Sequence, residues 1–174
     1  MVGKCGRVID VGCDHGYLGI YLLKNNFVEH VTFVDLSSES LNVAKRNVQM
    51  FFLEKKRVKF EQGDGLQMIH RNDFYDTLVI SGLGAHKIIK ILKDQKNQIN
   101  FGVFGPQSNV PLLRQFINVC RYEIVDERLV LENDFFYEFI RVNFSKKRSR
   151  PYNKLEELIG PILLKKNEQI LHSY

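Results

Sequence analysis

The sequence predicts an α/β fold in which a mostly parallel sheet ends in an antiparallel β-hairpin and a short helical extension follows. Five short apolar runs alternate with helical stretches between residues 8 and 119. Such alternation is typical of parallel βα units. Two further strand-like runs, residues 122–131 and 136–144, are joined by a short turn at Glu132, Asn133 and Asp134. This spacing predicts a hairpin after the five βα units.

The first βα unit carries the most informative loop. A strand at residues 8–11 leads through Gly12 and Gly16 into a helix at residues 17–24, and the segment contains two acids, Asp10 and Asp14. Glycines let backbone amides approach a ligand closely. The dinucleotide pattern is G-x-G-x-x-G, whose helix receives a pyrophosphate, and carboxylates would repel that group. A cationic ligand without phosphate, such as S-adenosylmethionine, fits better; the alternative is a plain connecting turn.

The next two strands end in further acids. The strand at residues 30–34 ends at Asp35, in the position where an acid accepts hydrogen bonds from ribose hydroxyls. Asp35 could instead cap the helix at residues 39–53. The strand at residues 58–61 precedes Gly63, Asp64 and Gly65, and Asp64 could accept the exocyclic amine of an adenine. On its own, this Gly-Asp-Gly triplet is more often only a turn.

Strands four and five also end in loops suited to a ligand. Residues 76–81 precede Gly82-Leu83-Gly84 and a helix with a stripe of lysines at 87, 90 and 93, which favours a solvated face over a phosphate track. Residues 101–104 precede a loop with Gln107 and Asn109. These amides could bind a base edge, since they donate and accept, or could simply precede the helix at residues 110–119.

A basic stretch marks a change in composition near the C-terminus. Lys146, Lys147, Arg148 and Arg150 precede Tyr152. A helix is predicted over residues 155–171, with a kink or restart at Gly160-Pro161 and with Leu158, Ile162 and Leu163 packing back. The stretch is either a solvated linker or a site for RNA phosphates and a stacked base. We therefore divide the chain into a ligand-binding domain, residues 1–145, and a basic linker with a helical segment, residues 146–174.

The composition excludes several classes of protein. Hydrophobic residues make up 44% of the 174 residues, charged residues 26%, and the net charge is +5. No apolar run reaches the roughly 18 residues of a membrane helix, and no signal peptide is visible. The three cysteines suggest no disulfide framework, and the five histidines have no metal-ligand spacing. We expect a cytoplasmic protein without membrane or metal, with RNA as a compatible partner.

Together, the ordered motifs carry a resemblance to a known family. DVGCDHGYL, GDGL, VISGLG, PQSN followed by LLRQFI, ENDFFYEF and GPILLK resemble the bacterial tRNA (adenine-22, N1) methyltransferases over most of the chain. The resemblance implies a Rossmann-like class I methyltransferase domain with a C-terminal coiled coil, of which residues 146–174 would be a remnant. It also implies methyl transfer from S-adenosylmethionine to N1 of adenosine 22 in tRNA. We expect a monomer.

The resemblance implies roles for particular residues. The expected donor-binding residues are Asp10, Gly12, Cys13, Asp14, His15, Gly16, Tyr17, Asp35, Leu36, Gly63, Asp64, Gly65, Gly82, Leu83 and Gly84. Asp14 is also the candidate acceptor of a proton from the adenine, with Gln107 and Asn109 orienting the base. Lys146, Lys147, Arg148 and Arg150 are the candidate RNA contacts.

The chain departs from the family pattern in three places. Ser108 stands where the family usually has proline, little sequence precedes the first strand, and most of the coiled coil is missing. These departures motivate a second hypothesis, a donor-binding and RNA-associated protein without turnover. A small-molecule methyltransferase on the same fold is a third, since fold does not determine substrate. An NAD oxidoreductase is the weakest alternative because of the acidic loop.

Overall fold

The structure is a computed structural model that describes residues 1–70, 72–93 and 98–166. These residues contain one seven-stranded sheet and five α-helices, with a single 3₁₀ turn at Lys55–Arg57. The strands are β1 Cys5–Val11, β2 Val28–Asp35, β3 Val58–Gln62, β4 Phe74–Ser81, β5 Gln98–Gly105, β6 Tyr122–Glu132 and β7 Phe135–Lys147. The helices are α1 Tyr17–Lys24, α2 Ser38–Met50, α3 Ala85–Lys93, α4 Val110–Val119 and α5 Lys154–Leu158.

The sheet has the order β3-β2-β1-β4-β5-β7-β6. The first five strands pair in parallel, and β7 pairs antiparallel with both β5 and β6. This arrangement confirms the predicted mostly parallel sheet with a C-terminal hairpin. The connections after β1 and β4 leave in opposite directions, because the strand order reverses between these neighbours. Such a reversal opens a crevice at the carboxyl edge of the sheet, where α/β proteins bind ligands.

Each face of the sheet carries its own hydrophobic core. Side chains alternate between the faces of a strand, so Ile9 and Val8 belong to different cores. One core joins the sheet to α3 and α4 through residues such as Ile88 and Leu113, and the other joins it to α1 and α2 through residues such as Leu23. Both layers hold the strand ends in fixed positions. No helix in the described ranges is long and apolar enough to cross a membrane.

The predicted C-terminal helix is wrong beyond its first turns. The helix α5 ends at Leu158, which is 57% exposed and does not pack back as expected, whereas Leu163 is buried and Ile162 packs against the core as predicted. Gly160 has a φ of 115°, outside the helical region, and Pro161 has no amide hydrogen to continue the helix. The amides of Ile162 and Leu163 instead donate to the carboxylate of Glu127. Residues 167–171 of the prediction lie outside the described residues.

The predicted basic linker also begins differently. Strand β7 continues through Lys146 and Lys147, so the proposed division at residue 146 falls inside a strand. The reason is contact with the start of β6 and the residues before it, because Lys147 donates to the Cys120 carbonyl at 2.8 Å and lies over the Tyr122 ring at 3.8 Å. Tyr152, farther along, is buried in the same core as the strands. A separate second domain therefore stays a prediction.

Several smaller boundaries differ from the prediction as well, and most strands begin two or three residues earlier than predicted. The helix α2 ends at Met50 rather than at residue 53. The hairpin turn contains two residues, Asn133 and Asp134, both with positive φ, while Glu132 remains in β6. Asparagine and aspartate tolerate this conformation, which two-residue hairpins require.

A buried ionic cluster joins α4, the hairpin and the C-terminal segment. The guanidinium of Arg114, fully buried, donates to Glu127 at 2.8 Å and to Glu138, and also to the Leu158 carbonyl at 3.1 Å. Burial raises the pKa of Glu127, while Arg114 opposes that change. Since Glu127 also accepts the amides of Ile162 and Leu163, this cluster fastens residues 158–163 to the sheet.

Candidate functional site

The loop after β1 is built on two glycines in the left-handed region. Gly12 has φ 71° and Gly16 has φ 74°. A Cβ on Gly16 would also lie 3.0 Å from the Cβ of Ala44 on α2, so the position has neither the conformation nor the space for a larger residue. The amides of Gly12 and Cys13 both donate to the Val34 carbonyl, at 2.9 and 3.1 Å. These contacts hold the loop against the end of β2.

Asp35, at the end of β2, supports this loop directly. One carboxylate oxygen accepts the amide of Asp14 at 3.0 Å, and the other accepts the amide of Ser37 at 2.9 Å. Ser37, rather than Asp35, is the N-cap of α2, since its side chain accepts the Ser40 amide. Asp35 therefore combines a structural contact with a position open to a ligand.

Five strand ends enclose a cavity of about 780 Å³, which we name the outer cavity. It lies at the carboxyl edge, where the loops after β1, β2, β3, β4 and β5 converge. The sequence-predicted residues that line it are Gly12, Asp14, Asp35, Leu36, Gly63, Asp64, Gly65, Gly82, Leu83 and Gln107. The structure thus brings together residues from four predicted donor-binding segments and one predicted base-binding residue.

Lysines from α3 also reach the outer cavity. Lys87 and Lys90 line it, and Lys90 pairs with Asp64 at 2.8 Å. Both side chains of this pair are about half exposed, so the pair contributes only about 0–1 kcal/mol to stability. The lysine stripe is therefore not only a solvated face, because two of its members border the candidate site.

A second cavity of about 690 Å³ adjoins the first, and we name it the inner cavity. Gly12 and Ser81 line both cavities, so the two meet at the ends of β1 and β4. Its wall is largely apolar and includes Leu18, Tyr21, Leu22, Phe27, Val79, Val103 and Phe139. Predicted residues Asp10 and Cys13 face this space rather than the outer cavity.

Asp10 is the most unusual polar group of the site. Asp10 is only 5% exposed, and within residues 1–70, 72–93 and 98–166 its Oδ2 has no hydrogen-bond partner. Burial raises the pKa of Asp10 to about 7, the Gly19 amide lowers it and the nearby Asp35 carboxylate raises it again. A buried carboxyl oxygen without a partner is costly in a folded protein. The inner cavity therefore offers a place for a cation or a hydrogen-bond donor.

Cys13 contributes shape rather than reactivity. Its side chain is buried, and burial together with the carboxylates of Asp10 and Asp35 raises the pKa of the thiol above its usual range. A thiol held in this protonated form is a poor nucleophile.

The loops after β4 and β5 are joined to each other. The Gln107 amide donates to the Leu83 carbonyl at 3.0 Å, and the Ala85 amide donates to the Ser108 carbonyl at 3.2 Å. These bonds place the Gln107 side chain at the outer cavity. Asn109 has φ 58° and precedes α4 without a side-chain capping bond, and it lines neither cavity.

The remaining predicted residues lie at the mouth of the first loop or beside the cavities. His15 contacts Asp14 through Nδ1 at 2.9 Å, and its ring centroid lies 5.8 Å from that of Tyr17, which is 61% exposed. Gly84 lies next to the Ser108 hydroxyl. Like Gly16, these residues shape the loops without lining either cavity.

Sequence reasoning did not find several residues of the inner cavity. Phe139 and Arg128 come from the hairpin, and only the register of β7 against β5 brings Phe139 next to Gly105. Ser81 and Tyr21 also line the cavity. The polar residue at the end of an otherwise apolar strand was a usable signal for Ser81, whereas no local pattern points to Arg128.

Comparisons with known proteins agree with this geometry. The family model of tRNA (adenine(22)-N(1))-methyltransferase matches residues 8–174. A proposed tRNA methyltransferase of Mycoplasma genitalium is 36% identical over 160 residues, which cover 90% of this chain and 70% of that protein. A second, from Mycoplasma pneumoniae, is 30% identical over 167 residues, covering 95% and 76%.

Among solved structures, Mycoplasma capricolum TrmK in complex with S-adenosylhomocysteine superposes with a TM-score of 0.84 and 28% identity, covering 92% of this chain and 71% of that one. The sequence match over nearly the whole chain and the shared fold agree with the motifs found above. The chain belongs to the tRNA (adenine(22)-N(1))-methyltransferase family.

Proposed function

We propose that this protein transfers a methyl group from S-adenosylmethionine to N1 of adenosine 22 in tRNA. The observation that carries the proposal is the buried Oδ2 of Asp10 in the wall of the inner cavity, which has no hydrogen-bond partner among the described residues. A ligand that ends in a cation and has no phosphate suits this carboxyl. Family membership supports both the donor and the substrate.

The two cavities suit the two ends of such a donor. Asp35 and Asp64 line the outer cavity, where Asp35 would accept ribose hydroxyls and Asp64 an adenine amine. In the inner cavity, Asp10 is placed to pair with the ammonium of the methionine end. The glycine loop between them lets the chain of the donor pass from one cavity to the other. The related Mycoplasma capricolum structure contains S-adenosylhomocysteine, which is consistent with this assignment.

When bound, S-adenosylmethionine supplies a reactive sulfonium methyl group, so alignment of the adenine accounts for much of the rate. The residues of this chain would hold the base and accept the proton that its amine loses. Asp14 has a 68% exposed side chain next to His15, and its carboxylate can accept a proton from the adenine amine. Gln107, at the outer cavity, and the exposed Asn109 can orient the base through their amides.

The target base must leave its stack to reach the cavities. Adenosine 22 is expected to be stacked within folded tRNA, and extruding such a base costs roughly a few kcal/mol. The apolar wall of the inner cavity, with Tyr21 and Phe139, can recover part of that cost by contact with the base. That the protein is monomeric, needs no metal and is cytoplasmic stays a prediction.

The direct test is transfer of a radiolabelled methyl group to tRNA. We expect label in a transcript with adenosine at position 22, in the form of N1-methyladenosine, and none in a transcript with guanosine at that position. Incorporation at another nucleotide, or into small molecules alone, would overturn the proposed substrate.

The role of Asp14 is tested with the same assay. We expect Asp14→Ala to abolish methylation of the adenosine-containing transcript, because the proton acceptor is lost, while the control Glu132→Ala at the exposed end of β6 keeps full activity. Retained activity of Asp14→Ala together with unchanged donor affinity would show that Asp14 does not have this role.

A further inference from the structure

A third cavity, of about 550 Å³, lies at the opposite edge of the sheet from the candidate site, and we name it the basic pocket. It is formed by the end of β7, the segment that follows it and residues 161–165. Its cations are Lys146, Lys147, Arg148, Arg150 and Lys165, and its carboxylates are Glu123 and Glu156. The pocket therefore carries an excess of positive charge.

One of these cations is already neutralised within the chain. Arg150 donates two hydrogen bonds to Glu156, at 3.0 and 2.9 Å, and this contact lowers the pKa of Glu156 to about 2. Glu156 also accepts the Asn153 amide in a capping box at the start of α5. Arg150 thus supports the pocket wall, and its role as an RNA contact stays a prediction.

The other four cations are not neutralised in this way. In the part of the chain that the structure describes, Lys146, Lys147, Arg148 and Lys165 form no ion pair with a carboxylate. Lys147 and Arg148 are nevertheless held in place, since the Lys147 ammonium donates to the Cys120 carbonyl and lies over the Tyr122 ring. Their positive charge remains available to an anion.

Arg148 carries a hydrogen-bond donor that a ligand could satisfy. Its guanidinium lies 3.1 Å from the centre of the Tyr152 ring, and its buried Nη1 has no hydrogen-bond partner among the described residues. The ring itself is fixed, because Tyr152 is 8% exposed and its hydroxyl accepts the Ile124 amide at 2.9 Å. A fixed guanidinium with an unsatisfied N–H is suited to a phosphate oxygen, which accepts charge-assisted hydrogen bonds from arginine.

We propose that the basic pocket binds a backbone phosphate of the tRNA substrate, through Lys146, Arg148 and Lys165. The inference rests on the proposed function, which supplies the tRNA, and adds a second contact region far from the reacting base.

The distance between the two regions follows from β7. Phe139 borders the inner cavity and Lys147 lies eight residues later on the same strand, so the two are about 26 Å apart at roughly 3.3 Å per residue. A nucleic-acid strand has a phosphate about every 3.4 Å along its axis, so some eight nucleotides cover this distance. One tRNA can therefore occupy both regions, which a single nucleotide or a free phosphate cannot do.

The test is tRNA binding by the double variant Lys146→Ala/Lys165→Ala, which removes two exposed charges without touching the buried core. We expect the Kd and the KM for tRNA to rise about tenfold, and the slope of log K against log salt to fall by about 1 to 2, as for the loss of one or two phosphate contacts. The affinity for S-adenosylmethionine should not change. The variant Arg148→Gln should weaken tRNA binding in the same direction.

The matched control is Lys4→Ala/Lys24→Ala, which removes the same charge at exposed positions outside the pocket. An equal loss of tRNA binding in this control would show a general effect of net charge and overturn the proposal, as would unchanged binding in the pocket variants. If inorganic phosphate binds to the pocket while the pocket variants keep full tRNA binding, the ligand is a free anion instead.

Failure of the proposed function is recognised separately. If the unmodified protein binds tRNA but transfers no methyl group to adenosine 22, the enzymatic proposal fails while the binding measurements still decide the pocket. If methyl transfer occurs and the pocket variants match the unmodified protein in Kd and KM, only the inference about the basic pocket fails.

Discussion

Replacing Asp10 by asparagine tests the physical basis of the donor site. Asparagine has nearly the same shape but stays neutral at every pH. The carboxyl of Asp10 has a pKa of about 7 in the folded protein, against 3.8 for an ordinary aspartate, mainly because it is buried. We expect the substitution to stabilise the free protein at neutral pH and to weaken its affinity for S-adenosylmethionine.

The expected effect on stability follows from the difference between these two pKa values. The folded chain holds the Asp10 proton more tightly than the unfolded chain, so between about pH 4 and pH 7 folding favours the protonated form. The contribution of this carboxyl to stability is therefore lost as the pH rises through that range. At about 1.4 kcal/mol per pKa unit, the loss amounts to some 4 kcal/mol at pH 8. Asp10→Asn should remove this loss.

The expected effect on binding has the opposite sign. Only the ionised carboxyl pairs favourably with an ammonium group. With a pKa of about 7, its ionised fraction rises from about 3% at pH 5.5 to about 50% at pH 7, so the affinity for S-adenosylmethionine should rise roughly 15-fold over this range. In Asp10→Asn the affinity should be lower at pH 7, and this dependence on pH should be absent.

Two measurements check these expectations. Denaturant unfolding of the unmodified protein and of Asp10→Asn at several pH values gives the difference between their free energies of unfolding. The titration of other groups, such as Glu127, contributes to both proteins and largely cancels in this difference. Calorimetric titration with S-adenosylmethionine gives the affinity and the protons released. A difference in unfolding free energy that does not change between pH 4 and pH 8, together with equal donor affinities, would refute the assignment of Asp10 as the partner of the cation.

Three further changes test other parts of the structure. Arg114→Leu should lower the free energy of unfolding by about 3–5 kcal/mol in denaturant unfolding, because it removes the cation that compensates the buried carboxylates of Glu127 and Glu138, whereas Lys56→Ala in an exposed pair should change it little. Gly16→Ala should cost about 1–2 kcal/mol from its positive φ alone and should weaken S-adenosylmethionine binding by calorimetry, whereas Gly3→Ala, where a Cβ would only touch the Arg141 guanidinium at 3.9 Å, should change neither. Tyr152→Phe should cost about 1–3 kcal/mol in thermal or denaturant unfolding, since a buried amide loses its acceptor; a change within error would show that water replaces the hydroxyl.

Most secondary structure follows from local patterns in this chain. The helices α1 and α4 begin and end at the predicted residues, because each has apolar residues at helical spacing and a glycine or asparagine at its start. The C-terminal helix was predicted wrongly, since the decisive interaction is not local. Glu127 on β6 accepts amides more than thirty residues away and holds the chain in a turn.

The sequence by itself determined the α/β class, the hairpin, the acidic glycine loop and the identity of most residues in the outer cavity. These features depend on neighbours in the chain, through the alternation of apolar residues and the conformational freedom of Gly12 and Gly16. Only the tertiary structure decided that the Oδ2 of Asp10 is buried with no hydrogen-bond partner among the described residues, that Phe139 borders the inner cavity and that Arg148 lies on the Tyr152 ring. Burial and contact between distant strands depend on strand order and register, and these arise from packing of the whole sheet, which no local pattern encodes.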